Sequence, residues 1–270
     1  MISLKSNSEI NKMRRAGRIL SSIFPEIYEL VKPGAVTRDI DDFAEQKIRQ
    51  ADAKPAFKGY KANNGRAFPA TTCISINQEI VHGIPSGRKL KSGQIVGIDC
   101  GCVIDGWYAD MAGSFLVDEV VDTNKKLWWV TREALYRGIQ AARPGNRLSD
   151  IGRAIQDWVE SNGFSVIRDL VGHGIGTNLH EDPAVYNYYS SQGNCILKSG
   201  MTIAIEPMVS AGRWKIKTLR DGWTAVTVDG SHTGHFEHTV HITDNEPEIL
   251  TLLEDGSDPW LTLFKDSDGE

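Results

Sequence analysis

The chain has 270 residues, 40% of them hydrophobic and 24% charged, with 35 acids against 30 bases and a formal net charge of −5. That composition excludes a disordered chain, a collagen and a disulfide-stapled miniprotein, and the length is ample for a large core. Without a global positive field, neither specific nucleic-acid recognition nor docking on an anionic membrane is expected.

In chain order, a helix opens near Ser6, where Ser6 and Glu9 make an S-x-x-E capping box and Ile10, Met13, Gly17 and Leu20 follow at helical spacing. A second helix follows Pro33-Gly34 with Thr37 as its N-cap. Residues 54–88 turn to short strands and loops. The apolar run from Gln94 to Val117, broken by Asp105-Gly106, reads as a hairpin. Helices are predicted over 124–142 and 149–160, then strands and loops to about Ile249. Residues 1–253 are expected to form a single domain, and residues 254–270 a loosely held acidic tail.

Cys100 and Cys102 lie along one strand, too awkwardly placed to bridge, so all four cysteines, with Cys73 and Cys195, read as reduced thiols. No apolar signal segment opens the chain and no run is long enough to span a bilayer. A soluble, cytoplasmic protein is expected.

Two internal matches recur in the same order. Lys32-Pro33-Gly34 with Asp39-Ile40 returns 111 positions later as Arg143-Pro144-Gly145 with Asp150-Ile151. Leu90-Lys91-Ser92-Gly93 before Ile98-Asp99 returns 107 positions later as Leu197-Lys198-Ser199-Gly200 before Ile205-Glu206. Two halves built on one helix-then-strand plan are expected, and the second match lays a carboxylate on a carboxylate.

Asp99 and Asp110 sit on the two arms of the hairpin. If the loop centres between Ile104 and Asp105 they are directly opposite; if it lies at Asp105-Gly106 they are diagonal neighbours. Either arrangement projects both from one face, with Cβ atoms about 4.5 to 8 Å apart. Glu206 and Glu237 form the matching pair in the second half. Four inward acids are costly to bury ionised, and divalent cations reverse that balance, which points to a two-metal hydrolytic centre. Glycines surround His173 in Gly172-His173-Gly174-Ile175-Gly176, and His82 is followed by Gly83, letting ligand and backbone approach closely; His180 stands seven residues after His173. His232, His235, His238 and His241 read as hydrogen-bonded structural residues.

The stretch Gly172-His173-Gly174-Ile175-Gly176-x-x-x-His180-Glu181-x-Pro183, with the Asp99/Asp110 hairpin, Ile205-Glu206-Pro207 and Phe236-Glu237-His238-Thr239, resembles the type I methionine aminopeptidases of peptidase family M24. The resemblance runs from about Leu4 to Leu252. It implies an α+β, pseudo-two-fold pita-bread (creatinase/aminopeptidase) fold, a curved antiparallel sheet covered by helices. It implies metal-dependent hydrolysis of the initiator methionine from nascent chains with a small second residue, through a metal-bridging hydroxide.

Carried over position by position, the resemblance gives the metal ligands as Asp99, Asp110, His173, Glu206 and Glu237, with Asp110 and Glu237 bridging. Glu206 would shuttle the proton, His180 would donate toward the oxyanion, and His82 would contact the nitrogen beyond the scissile bond. Tyr60, Phe68, Cys73 and Trp223 would line the methionine pocket, with Phe57 and Leu179 nearby. Two divalent ions are expected, Mn, Fe(II), Co or Zn, since one imidazole and four carboxylates do not select among them. The partners implied are nascent N-termini at the ribosome, and the chain is expected to be a monomer.

Residues 61–67 read as an insertion between Tyr60 and Phe68, and Leu170 and Leu179 stand where bulkier residues are common. Two alternatives stand beside this reading: a prolidase-like enzyme, which would need a large extra N-terminal domain, and a pita-bread binding module, which would lack metal ligands.

Overall fold

The computed structural model of the chain describes residues 2–61 and 65–263. The first half comprises α1 (Asn7–Leu30), α2 (Thr37–Gln50), β1 (Lys54–Pro55), β2 (Thr72–Ile76), β3 (Glu79–Val81), β4 (Ile95–Ile104) and β5 (Trp107–Leu116). The second half begins with α3 (Asp122–Ala141) and α4 (Leu148–Ser161). Short strands follow: β6 (Ser165–Val166), β7 (Gly172–Gly174), β8 (Glu181–Val185), β9 (Thr202–Ile205), β10 (Met208–Ser210), β11 (Ile216–Thr218) and β12 (Ala225–Thr227). The chain then runs through β13 (Thr233–His235), β14 (Glu237–His241), β15 (Glu248–Ile249) and the single turn α5 (Pro259–Thr262).

The central sheet is antiparallel, in the order β1-β4-β5-β14-β9-β7-β8, with β2 also on β4 and β15 also on β14. Helix α1 packs on β4 and β5, while α3 packs on the adjoining α4 and reaches β5, β9 and β14. The capping box forms: the Glu9 carboxylate accepts the Ser6 N–H at 2.8 Å. At α2 the expectation needs correction, because Val36 is the N-cap. Val36 is held by a bridge to Lys89, and the Thr37 hydroxyl instead donates to the Ser86 carbonyl at 3.0 Å.

The internal repeat survives in three dimensions. The Gly34 N–H donates to the Leu90 carbonyl at 2.8 Å, and the Gly145 N–H donates to the Leu197 carbonyl at 2.9 Å. Val36 bridges Lys89 as Arg147 bridges Ile196. Each half thus ties the start of its helix to the Leu-Lys-Ser-Gly segment that leads into its central strand.

The tail expectation also needs correction. Trp260 is fully buried, with its ring centroid 4.9 Å from Phe24 and 5.8 Å from Phe236. Asp258 accepts the Trp260 N–H at 2.8 Å and the Tyr136 hydroxyl at 2.9 Å. An indole removed from water on all sides offsets the cost of ordering a short acidic segment. The remainder of the tail, 264–270, lies outside the described residues. Among the described residues no helix is long and apolar enough to cross a membrane.

Candidate metal centre and substrate pocket

The hairpin turn decides between the two registers. Asp105 and Gly106 both adopt positive φ, 51° and 80°, as a two-residue type I′ turn requires. Asp99 therefore faces Ala112, and Asp110 faces Gly101, so the two aspartates are diagonal neighbours. Ala112 faces Glu237 on its other side. Opposed residues in an antiparallel sheet share a face, so Asp99, Asp110 and Glu237 project together. His238 pairs with Ile205, and His173 with Ala204, which brings Glu206 and His173 to the same face from the second half.

These groups converge. His173 Nε2 lies 3.5 Å from Glu206 Oε1 and 3.8 Å from Asp110 Oδ2. The His173 Nδ1 is 2.8 Å from the Gly174 carbonyl, which can only accept, so Nδ1 carries the proton and Nε2 keeps its lone pair for a cation. Asp110, His173 and Glu237 offer ligand atoms within 4.8 Å of one another, as do Glu206, His235 and Glu237, and Glu237 belongs to both groups.

His235, which the sequence marks as structural, places its Nε2 3.9 Å from Glu206 Oε2 and 4.0 Å from Glu237 Oε2. The period-2 alternation that puts Glu237 on the site face puts His235 there too, and that was the available signal.

The centre is starved of positive charge. Burial first, and then neighbouring carboxylates, push Asp99, Glu206 and Glu237 well above the ordinary range. Burial raises Asp110 to about 7 and, with the adjacent His180, lowers His173 to about 3. Asp99 Oδ1, Glu237 Oε1 and His235 Nε2 are buried without a hydrogen-bond partner. Orphaned carboxylate oxygens in a ring with the free Nε2 atoms of His173 and His235 suit divalent cations of hard to borderline character.

A cavity of about 290 Å³ stands over this floor. Every site residue named from the sequence lines it: the five metal-ligand candidates, His82, His180, and the wall of Tyr60, Phe68, Cys73 and Trp223. Phe57, Leu170 and Leu179 also line it, and Val81, Val171 and Met208 are wall residues that the sequence reading did not pick out. Phe68 and Trp223 meet edge to face at 5.1 Å, and the His82 ring lies 6.1 Å from Trp223. His82 takes a positive φ of 60°, and a Cβ on the following Gly83 would stand 2.3 Å from the Ile74 carbonyl. That glycine lets the His82 loop sit hard against β2.

Tyr60 and Phe68, which flank residues 61–67, both line the wall. Lys61 and Ala67 pair across the base of that segment, and the Phe68 N–H donates to the Tyr60 carbonyl at 2.8 Å. Residues 62–64 lie outside the described residues.

The profile of metallopeptidase family M24 matches residues 11–244. Methionine aminopeptidase 1 of Bacillus subtilis is 48% identical over 253 residues, 94% of this chain and all of that one. The crystal structure of methionine aminopeptidase from Thermotoga maritima superposes with a TM-score of 0.89 at 46% identity, covering 93% of this chain and 99% of that one. Prolidase from Pyrococcus furiosus shares the fold, with a TM-score of 0.74 at 23% identity, over 93% of this chain and 66% of its own.

Proposed function

We propose, for a chain that belongs to metallopeptidase family M24 and to its methionine aminopeptidases, the hydrolytic removal of N-terminal methionine from nascent proteins and peptides whose second residue is small. The fold is the pita-bread fold of those relatives, and the enzyme is a metal-dependent hydrolase. One observation carries the reading: an imidazole and four carboxylates, unneutralised and converging on one sheet face, form the floor of a cavity whose wall is aromatic and sulfur-bearing.

Asp99, Asp110, His173, Glu206 and Glu237 would hold two divalent ions, from among Mn, Fe(II), Co and Zn. When bound, such ions polarise a carbonyl and make a water acidic near neutral pH. Glu206, a carboxylate at the cavity floor 3.5 Å from His173 Nε2, is suited to taking and returning the proton. His180 donates toward the oxyanion of the tetrahedral intermediate. His82 contacts the backbone nitrogen beyond the scissile bond. Tyr60, Phe68, Cys73 and Trp223 receive the thioether side chain, which packs well on aromatic faces.

The prolidase-like reading has only shared fold behind it, whereas the aminopeptidase relatives match nearly end to end. A monomer acting on chains as they leave the ribosome, in the cytoplasm where free thiols such as Cys100 and Cys102 persist, completes the proposal.

The test is hydrolysis of Met-Gly-Met and Met-Leu-Met by protein loaded with Mn, Co or Fe(II). Release of methionine from the first and little from the second is expected. Failure to cleave Met-Gly-Met with any of the three would refute the assignment.

A further inference from the structure

His173 and His180 are ring neighbours, 4.4 Å between centroids, yet they hold their Nδ1 atoms against chemically different partners. The partner of His173 is a backbone carbonyl, which accepts only. The partner of His180 is the Tyr60 hydroxyl, 2.8 Å away, which can donate.

A phenol is the more acidic hydrogen of such a pair and an imidazole nitrogen the more basic acceptor. The Tyr60 hydroxyl therefore donates to His180 Nδ1. A neutral imidazole carries one proton, so it must then sit on Nε2. Two adjacent imidazoles are thereby set in opposite tautomers: His173 with a bare Nε2 for a cation, His180 with an Nε2–H to donate.

We propose that Tyr60, beyond lining the pocket, is a positioning residue that sets the tautomer of His180. The proposal rests on reading His180 as the oxyanion donor, and it deepens that reading. Three features hold Tyr60 to the task. Its N–H donates to the Phe57 carbonyl at 2.8 Å, and its carbonyl accepts the Phe68 N–H at 2.8 Å. Its ring meets the His180 ring edge to face at 5.0 Å and 70°. The Lys61–Ala67 pairing beside it braces the Tyr60 backbone from which the hydroxyl reaches His180.

Tyr60→Phe removes the hydroxyl and keeps the ring. The test is ¹⁵N NMR of the imidazoles in zinc-loaded protein at pH 7.5, with His180 assigned by its missing signals in His180→Gln. Kinetics on Met-Gly-Met run in parallel.

Wild type is expected to show His180 protonated on Nε2, and Tyr60→Phe a mixture of tautomers. Turnover should fall about tenfold with KM little changed, because the donor acts mainly as the oxyanion forms. A wild-type His180 protonated on Nδ1, or an unchanged tautomer and kcat in Tyr60→Phe, would overturn the proposal. Full turnover in His180→Gln would instead overturn the oxyanion reading, while the spectrum still decides the tautomer by itself.

Discussion

Asp110 stands opposite Gly101 in the β4–β5 hairpin, and a Cβ at position 101 would lie 3.3 Å from its Oδ1 and 2.7 Å from the Phe57 ring. The glycine leaves the room that the carboxylate and the pocket wall share. Gly101→Ala should therefore cost about 1–3 kcal/mol by overpacking. It should also raise KM for Met-Gly-Met by pushing Phe57 into the cavity. Denaturant unfolding and steady-state kinetics on the same variant check both.

The acid cluster makes the metal-free protein sensitive to rising pH. Burial holds Asp110 at about 7 when folded, above the value near 4 of an exposed aspartate. A raised carboxyl contributes stability in full below the unfolded value, and that contribution is lost as pH climbs through the folded one. Asp110 alone could account for at most about 4 kcal/mol over that window. The melting temperature of metal-free wild type should fall between pH 4.5 and 7.5 more steeply than that of Asp110→Asn. Manganese should stabilise wild type more at pH 7.5 than at 4.5. Parallel slopes for the two metal-free proteins would contradict the assignment.

Lys5 and Glu181 form an ion pair at 2.7 Å with side chains only 3% and 13% exposed. Burial raises the Glu181 carboxyl, but Lys5 and the Asn178 and Thr177 N–H groups more than offset it and leave it below the ordinary range. Lys5→Ala would strand a largely buried carboxylate beside His180, at a cost of about 3–5 kcal/mol. Lys5→Arg should recover part of it. Thermal unfolding of the two variants reads the difference.

Trp260 fills a socket closed by Gly113, where a Cβ would lie 2.6 Å from the indole ring. Trp260→Ala should cost about 3–5 kcal/mol, and Gly113→Ala should be damaging in wild type but not in the Trp260→Ala background. A double-mutant cycle by chemical denaturation measures that coupling.

What could be read from the sequence was what local chemistry determines. The pseudo-repeat was legible because the same turn and cap residues recur, and α2 and α4 begin at residues 37 and 148, the same 111 positions apart as the Lys-Pro-Gly and Arg-Pro-Gly triplets. The four acids were legible as a cation site because inward carboxylates have few uses besides holding cations, whereas the choice of His173 as the fifth ligand came from the resemblance to the aminopeptidases. The hairpin register stayed open between two choices until the positive φ of Asp105 and Gly106 settled it.

Other features depended on distant partners. Trp260 reads as an isolated apolar residue in an acidic tail, since its socket is assembled from α1, β5 and β14, far away in sequence. A lone histidine is more often structural, so His235 stands out only when its spacing of two residues from Glu237 is read as strand alternation, which the 4.0 Å between His235 Nε2 and Glu237 Oε2 bears out. Tyr60 was recognised as a pocket aromatic, but its contact with His180 spans 120 positions and left no local trace.

The central claim is that Asp99, Asp110, His173, Glu206 and Glu237 hold the divalent ions on which catalysis depends. Anomalous scattering from crystals of the manganese-loaded protein tests it most directly. Two strong peaks are expected in the cavity floor, each within coordination distance of carboxylates from this set and one beside His173 Nε2. Peaks elsewhere, or none at saturating manganese, would contradict the account.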